Sequence, residues 1–285
     1  MKLQTTLDLV AAGLALAACS PDGLESGSAH IYGGSRVEPG DAIARSTVAL
    51  LTSSDYDTGH ALVDGSATLV GQDVAVGAAH TCLEFRPQYV AFGVQPPGAG
   101  FYDSYGDRER YPNVRAIERC LAHEEYDDAA AANDDQASHP VHDIALFFFR
   151  DTPASFDPAA VLAPNSELPY EITIAGFGAF EDQFDDLHTT GMKPYDLRAV
   201  DTFVSEQYAA SLQFQDGPNP GRGSCQGDSG GSVYRRRGSR AERPVLVGIP
   251  VSGPACDEGI GYNTDIRGHV AWIEQHGGVS LDLVP

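Results

Sequence analysis

The chain has 285 residues, which is long enough to bury one large core or two fused half-cores, and 42% of them are hydrophobic. It carries 40 Asp and Glu against 18 Lys and Arg, which gives a formal net charge of −22 at pH 7. A surface this acidic repels polyanions, so nucleic acid is excluded as a partner. The acidic residues concentrate at 124–128, 134–135 and 181–186, which we interpret as solvated surface rather than as calcium sites.

Residues 1–19 have the composition of an export signal, in which Lys2 is followed by an apolar segment at 9–18 and then by Cys19. The tetrapeptide that ends at Cys19 resembles the box at which bacterial lipoproteins are cut and acylated on cysteine. The alternative is an ordinary signal peptide that contains a cysteine, but acylation also explains the odd number of cysteines, five. We therefore expect an exported protein, secreted or held in the bacterial cell envelope, whose only membrane contact is a lipid on Cys19. Residues 20–30 are then a short leader.

Short apolar runs separated by turn-rich segments predict β-strands through the rest of the chain. The 31 Gly and 18 Pro make turns frequent enough for antiparallel barrels. The predicted strands are Thr47–Leu51, Ala67–Val70, Tyr89–Phe92, Val114–Ile117, Ile144–Phe149, Glu171–Phe177 and Val245–Ile249. Near the C-terminus, Gly268–Gln275 has the pattern of a helix. The sequence shows no internal repeat and no segment after the signal that is suited to span a membrane.

Three residues with catalytic potential stand in distinctive local sequences. His80 ends an apolar run, as expected for a base at the exit of a buried strand, and Asp143 opens the apolar run Ile144–Phe149. Ser229 lies among glycines in Gly227-Asp228-Ser229-Gly230-Gly231. A serine hydroxyl is too weakly acidic to attack a carbonyl group alone, so Ser229 requires an imidazole and an orienting carboxylate. His80 and Asp143 are the candidates for these two groups.

The local sequences Ala-Ala-His, Asp-Ile-Ala-Leu and Gly-Asp-Ser-Gly-Gly occur in this order in trypsin/chymotrypsin-type serine peptidases, and the chain resembles that family. The resemblance implies an all-β fold of two six-stranded antiparallel β-barrels, with the active site between them and a C-terminal helix. It places the peptidase domain at 31–278 and a tail at 279–285. It also implies a monomeric endopeptidase that acts on protein or peptide substrates without a cofactor.

The resemblance assigns a role to each residue of the catalytic motifs. His80 would take the proton of Ser229 and later give it to the leaving amine, while Asp143 holds the imidazole in the required tautomer. The backbone amides of Gly227 and Ser229 would form the oxyanion hole, in which each donor typically contributes about 3 kcal/mol.

Ile31-Tyr32-Gly33-Gly34 resembles the family's mature N-terminus. In the family, a freed isoleucine ammonium pairs with the acid that precedes the nucleophile, which is Asp228 here. We therefore expect activation by cleavage before Ile31. His30 precedes Ile31 where the family usually has a basic side chain, so the sequence does not identify the activating protease.

The resemblance places Gly223, Ser224, Gly253 and Gly261 around the specificity pocket. Gly223 stands where trypsin-like members carry an aspartate, which predicts an uncharged pocket and cleavage after apolar residues. Turn chemistry is the alternative explanation for these glycines.

Two disulfides are expected from the same resemblance and from an oxidising compartment. Cys225 and Cys256 occupy positions that the family bridges beside its pocket. Cys82 is assigned to Cys120, because Gly65 occupies the position where the family usually has the partner.

The chain departs from the family's pattern at several positions. Val251 stands where a serine usually hydrogen-bonds the catalytic aspartate, and Ser252 stands where an aromatic residue usually backs the substrate. Ser232 replaces a common proline, which need not disturb the nucleophile. The long acidic loop between Cys120 and His142 either overhangs the cleft or is a slack linker.

The other histidines are interpreted as structural. His142 is adjacent to Asp143 on a predicted strand, where neighbouring side chains alternate, so it should point away from the triad. The rest lie in loops or near the C-terminal helix without metal-ligand spacing: His123, His139, His188, His269 and His276. We predict no metal site, and we interpret Trp272 and Phe147–Phe149 as core residues.

Two other functions fit parts of the sequence. Gly227–Gly231 also satisfies the G-x-S-x-G pattern of α/β-hydrolases, with Asp257 or Asp265 and then His269 in the order that this fold requires. The absence of predicted alternating strands and long helices disfavours it. A peptidase-like domain that has lost catalysis and binds a partner is the other hypothesis, which the intact triad disfavours.

Overall fold

A computed structural model describes residues 31–52, 62–96, 111–127, 141–178, 196–208, 212–254 and 256–285. The predictions about Cys19, residues 1–30, the acidic groups at 134–135 and 181–186, the loop at 128–140, His139 and His188 lie outside these residues.

Sixteen strands account for most of the regular structure in the described residues. In chain order they are β1 (Ser35–Arg36), β2 (Thr47–Thr52), β3 (Leu62–Gly71), β4 (Val74–Gly77), β5 (Tyr89–Ala91), β6 (Val114–Ala116), β7 (Arg119–Ala122), β8 (Ala145–Phe148), β9 (Ala160–Leu162), β10 (Glu171–Gly176), β11 (Arg198–Tyr208), β12 (Gln213–Asp216), β13 (Ser232–Arg235), β14 (Val245–Ser252), β15 (Gly261–Asp265) and β16 (Leu283–Val284). Each of the seven predicted strands overlaps one of them.

The N-terminal sheet is curled and has the strand order β6-β5-β2-β3-β4-β8-β7, with every neighbouring pair antiparallel. Only Ile117 and Glu118 separate its edge strands β6 and β7. The Ile117 amide bonds to the Gln88 carbonyl and the Glu118 amide to the Phe148 carbonyl, so one bent segment pairs with both ends of the sheet. The predicted six strands are therefore present, with one of them bent into two.

The C-terminal sheet closes into a six-stranded barrel, β13-β10-β11-β12-β15-β14, through pairing of β14 with β13. β9 and β16 extend it from β14 in parallel, and β1 pairs with β11. The predicted tail at 279–285 thus contributes a strand to this sheet. The antiparallel barrel confirms the predicted all-β, chymotrypsin-like fold and shows that the α/β-hydrolase alternative is wrong.

Helical structure in the described residues is short. It comprises α1 (Ile43–Ser46), a π-helical turn at Thr81–Phe85, 3₁₀ turns at Cys256–Glu258 and Ile266–His269, and α2 (Val270–Gly277). The predicted C-terminal helix is confirmed as α2, but it starts and ends two residues later than expected because the 3₁₀ turn occupies its predicted first turn. No helix among the described residues combines the length and apolar character needed to cross a membrane.

A buried polar network joins the two sheets through Ser232, three residues after Ser229. The Ser232 hydroxyl lies 3.0 Å from that of Thr47 and 2.6 Å from that of Thr68, both in the N-terminal sheet. The Tyr234 hydroxyl lies 2.9 Å from the hydroxyls of Thr47 and Ser46. Ser232 therefore has a structural function that the proline common in the family cannot supply.

Ser232→Ala is expected to lower the free energy of unfolding by about 1–3 kcal/mol, because two buried hydroxyls lose a partner without gaining water. Urea unfolding on a Ser229→Ala background, which prevents self-digestion, measures the difference. Ser205→Ala on the exposed face of β11 is the matched control, with a change within about 0.5 kcal/mol. Equal effects of the two substitutions would contradict the network.

Candidate active site

The pairing of β4 with β8 brings His80 and Asp143 together. Gly77 and Ala145 are paired residues at the ends of these antiparallel strands, so the chain leaving β4 meets the chain entering β8. The His80 Nδ1 lies 2.6 Å from the Asp143 Oδ2, and the His80 amide donates to Oδ1 at 3.0 Å. A carboxylate against Nδ1 keeps the proton on that nitrogen, so the lone pair of the neutral ring is on Nε2, as a general base requires.

Asp143 is fully buried, and a second contact holds its backbone. The Thr264 hydroxyl donates to the Asp143 carbonyl at 3.0 Å. Val251, which stands where the family usually has a serine, is buried in the same apolar core cluster as Ile249. As a valine it has no hydroxyl to donate to the carboxylate. Thr264 was missed by sequence reasoning because no local pattern links a threonine on β15 to a residue more than a hundred positions earlier.

The nucleophile segment packs against β3 and against the residues that lead to His80. The Ser66 amide donates to the Ser229 carbonyl at 2.9 Å. Gly230 has a φ of +79°, and a Cβ on it would lie 2.5 Å from the Ser66 carbonyl oxygen and 2.8 Å from the Ala78 amide nitrogen. Glycine is therefore required after Ser229 by both backbone conformation and close approach.

Two backbone amides at the candidate nucleophile have no acceptor in the part of the chain that the structure describes. Within the described residues, Asp228, Gly230 and Gly231 donate their amides to carbonyl oxygens, whereas no hydrogen bond from the amide of Gly227 or Ser229 is found. Gly227 has a φ of +87°, which is the left-handed conformation that glycine adopts without strain. The turn thus holds two unpaired donors beside the serine, as the predicted oxyanion hole requires.

Residues 31–273 match the family described as Trypsin. The chain belongs to the Trypsin family. A comparison with curated proteins finds no match. Membership identifies a domain of the serine-peptidase type, and the predicted resemblance is confirmed.

Both disulfides predicted for this Trypsin-family domain are present. Cys82 is bonded to Cys120, which ties the turn after His80 to β7, and Cys225 is bonded to Cys256. Two disulfides in a Trypsin-family protein fit an extracellular location.

Asp228 is fully buried at the centre of the predicted activation region. Its Oδ1 accepts from the Gly178 amide and its Oδ2 from the Cys225 amide, both at 2.8 Å. Burial raises the pKa of Asp228 to about 7, although these hydrogen bonds oppose the shift. No ion pair of Asp228 with a basic side chain occurs among the described residues.

Ile31 is the other residue of the predicted activation pair. Its side chain is fully buried in the core of the C-terminal barrel. The next residue, Tyr32, forms an antiparallel bridge with Gly223, whose amide donates to the Tyr32 carbonyl at 3.0 Å. The segment that begins at Ile31 is therefore attached to the segment that leads to Ser229.

A cavity of about 300 Å³ opens beside Ser229. Ser224 and Gly253 line it, together with Val251, Ser252 and the Cys225–Cys256 pair. Gly223 and Gly261 are buried rather than lining this cavity. The structure therefore places two of the four predicted pocket residues on the cavity wall and two behind it.

Asp216 is a pocket neighbour that sequence reasoning missed. A Cβ on Gly261 would lie 2.9 Å from the Ser224 Oγ and 2.5 Å from the Asp216 Oδ1. Asp216 is fully buried, and its Oδ1 accepts from the Asn263 side chain at 2.7 Å. Burial raises the pKa of Asp216 to about 6. The pocket was predicted to be uncharged, but a carboxyl group lies behind its wall.

His142 does not lie on a strand, as was predicted, but in a left-handed turn with a φ of +53° that precedes β8. Its side chain contacts His123 and His269. Burial lowers the pKa of His269 to about 4. These three histidines come from distant parts of the chain, so spacing in the sequence gave no sign that they would meet.

Proposed function

We propose that the chain is a serine endopeptidase that hydrolyses peptide bonds through an acyl-enzyme on Ser229. The single observation that carries this proposal is the packing of the Ser229 turn against the residues that lead to His80 and its buried partner Asp143. Among the described residues, the amides of Gly227 and Ser229 in this turn have no acceptor. A serine served by such a base and by two such amides can attack a carbonyl group and pass the negative charge that develops to the amides.

The reaction would proceed in two stages. His80 takes the proton of Ser229 as its Oγ attacks the substrate carbonyl, and the resulting oxyanion accepts hydrogen bonds from the amides of Gly227 and Ser229. His80⁺ then protonates the leaving amine, and the acyl group stays on Ser229. In the second stage His80 takes a proton from water as the water oxygen attacks the acyl carbonyl, and His80⁺ then returns the proton to the Ser229 Oγ as the acid product leaves. Asp143 stabilises the imidazolium throughout.

Hydrolysis of an unfolded protein substrate tests the proposal. We expect Ser229→Ala and His80→Ala each to lower kcat by about 10⁴-fold or more, while the exposed control Ser205→Ala retains wild-type activity. Activity that survives both active-site substitutions would mean that the nucleophile is misassigned. A folded wild-type protein without activity after processing would favour the alternative of a binding protein that has lost catalysis.

We further propose that cleavage before Ile31 activates the enzyme and that the new ammonium group pairs with Asp228. Three observations support it: Asp228 is buried without a cationic side chain in the described residues, Ile31 is buried, and the family match starts at Ile31. We also propose that the chain is exported, that Cys19 carries a lipid, and that another protease makes the cut before Ile31.

For specificity, we propose cleavage after apolar residues. Gly223 supplies no charge, and Asp216 is fully buried with its Oδ1 hydrogen-bonded to Asn263, so it does not line the cavity. A peptide library is expected to show preference for apolar side chains before the scissile bond. A strong preference for Arg that disappears in Asp216→Asn would contradict this and assign the pocket charge to Asp216.

A further inference from the structure

Three histidine side chains that the catalytic mechanism does not use lie together beside the turn that carries Asp143. One nitrogen atom from each of His123, His142 and His269 lies within 4.8 Å of the other two. His123 stacks on His142, with ring centroids 4.6 Å apart, and the His142 Nδ1 lies 3.1 Å from the His269 Nε2. Three converging imidazoles are a common ligand set for divalent transition metals.

His269 is held in the orientation of a metal ligand. Its ring is buried, and its Nδ1 donates to the Asp265 carbonyl at 3.0 Å. A neutral ring with its proton on Nδ1 has a lone pair on Nε2, which is the atom that faces His142. Histidines that bind metals are typically fixed in this way, by donating the other N–H to a carbonyl or carboxylate.

His142 has the corresponding partner on its far side. Its Nε2 lies 3.6 Å from the Glu125 Oε2. Without a cation, the contact between His142 and His269 requires a proton on the His142 Nδ1, since the His269 Nε2 is an acceptor. When a cation binds, this proton leaves Nδ1 and the neutral ring carries its proton on Nε2, toward the carboxylate. Glu125 thereby supplies negative charge near the site.

The distances fit a zinc-sized ion. Two nitrogen ligands about 2.0–2.1 Å from a tetrahedral Zn²⁺ stand about 3.3 Å apart. The observed 3.1 Å between His142 and His269 requires only a small separation of the rings. His123 loses a hydrogen bond when it binds the ion. Its Nδ1 accepts from the Glu125 amide at 3.2 Å. Coordination through Nε2 moves the ring proton to Nδ1, which breaks this hydrogen bond.

We propose that His123, His142 and His269 form a binding site for a divalent cation of the zinc class, with water as the fourth ligand. A regulatory effect, which rests on the proposed peptidase function, follows from the position of the site. His142 is adjacent to Asp143, and the His123 amide donates to the Ile144 carbonyl at 2.9 Å. Coordination moves these rings toward the ion and thereby changes the position of Asp143 relative to His80. Zn²⁺ therefore lowers peptidase activity.

The single tryptophan of the chain reports on this site. The Trp272 ring lies 4.8 Å from the His123 ring and 5.3 Å from the His276 ring, centroid to centroid. His276 is outside the three-histidine cluster. It therefore offers a matched control, in which a histidine is removed beside the same fluorophore.

The test is a titration of ZnCl₂ into the full chain carrying Ser229→Ala, monitored by calorimetry and by Trp272 fluorescence. Excess Mg²⁺ is present throughout, because it occupies exposed carboxylates that would otherwise bind Zn²⁺. We expect one equivalent to bind. His142→Ala and His269→Gln should weaken binding by at least about 100-fold, the upper end for loss of an outer-shell partner, and Glu125→Gln by about tenfold. His276→Ala should bind as the parent does.

Thermal unfolding separates loss of ligands from misfolding, because Zn²⁺ should raise the Tm of the parent and of His276→Ala but not of the ligand variants. His123→Ala, at the more exposed ligand, tests the same site if His269→Gln does not fold. Undiminished binding in His142→Ala, or equal loss in His276→Ala, would overturn the site. Binding without any peptidase activity in the wild type would refute the proposed function and leave the site intact. Equal Zn²⁺ inhibition of wild type and His123→Ala would overturn the regulatory effect.

Discussion

Asp143→Asn is expected to lower kcat by about 10⁴-fold with little change in KM. The Asp143 carboxylate contacts both the Nδ1 and the amide of His80, so an amide in its place can present an NH₂ group to Nδ1 and favour the wrong tautomer. Ser229 then faces an Nε2–H rather than a lone pair. Steady-state kinetics on a peptide substrate measure the change, because a tautomer defect affects the chemical step rather than binding.

Thr264→Val is the matched comparison for this substitution. It removes the hydroxyl that bonds to the Asp143 carbonyl and leaves the carboxylate untouched. We expect a decrease of about tenfold or less in kcat, since only the position of Asp143 is loosened. Equal losses from the two variants, with native unfolding curves for both, would show that Asp143 acts through the fold rather than through the imidazole.

Asp228→Asn should have the second large effect. It should stabilise the uncut chain at pH 8 but destabilise the chain that is cut before Ile31. In the full chain, the folded-state pKa of Asp228 is raised from 3.8 to about 7. A carboxyl group with a raised folded pKa stabilises the fold fully below its unfolded pKa, and this stability is lost as the pH rises through the folded pKa. The window is therefore about pH 4 to 7, and the loss is about 4 kcal/mol for a shift of this size.

Asp228→Asn in the full chain should remove this dependence and raise the free energy of unfolding at pH 8. Asp64 and Asp216 also have raised pKa values, of about 7 and about 6, so the difference between variant and parent is the relevant quantity. Urea unfolding from pH 4 to 8, on a Ser229→Ala background, measures it.

In the chain cut before Ile31, the same substitution should be destabilising by about 3–5 kcal/mol, because it leaves the new ammonium group buried without its partner. Cleaved Asp228→Asn carrying Ser229 should also lose most peptidase activity. If Asp228→Asn has the same effect on stability in cut and uncut chains, the proposed ion pair does not form.

The sequence predicted two of the most deeply buried strands. β8, with Ala145, Leu146 and Phe147 buried, and β14, with seven buried residues, are continuous apolar runs. β12 and β15 were not predicted, because they bury polar side chains such as Gln213, Asp216 and Asn263. Such residues become favourable inside a barrel only through partners on other strands, which a local pattern does not contain.

The motif around Ser229 was predictable because its residues are neighbours in the chain. Ser229 and Gly230 stand in one short turn, and close approach of backbones restricts the residues at such positions. Thr264, Asp216 and the three histidines act across contacts between distant segments. Such roles depend on strand register, as in the pairing of Thr264 on β15 with Gln213 on β12, rather than on neighbours in the chain.

The most direct test of the central claim is the structure of the cleaved enzyme after reaction with a fluorophosphonate. We expect a covalent bond to the Ser229 Oγ, one phosphonyl oxygen within hydrogen-bond distance of the amides of Gly227 and Ser229, and the His80 Nε2 beside the adduct. An adduct on another residue, or a phosphonyl oxygen that faces solvent instead of these two amides, would contradict it.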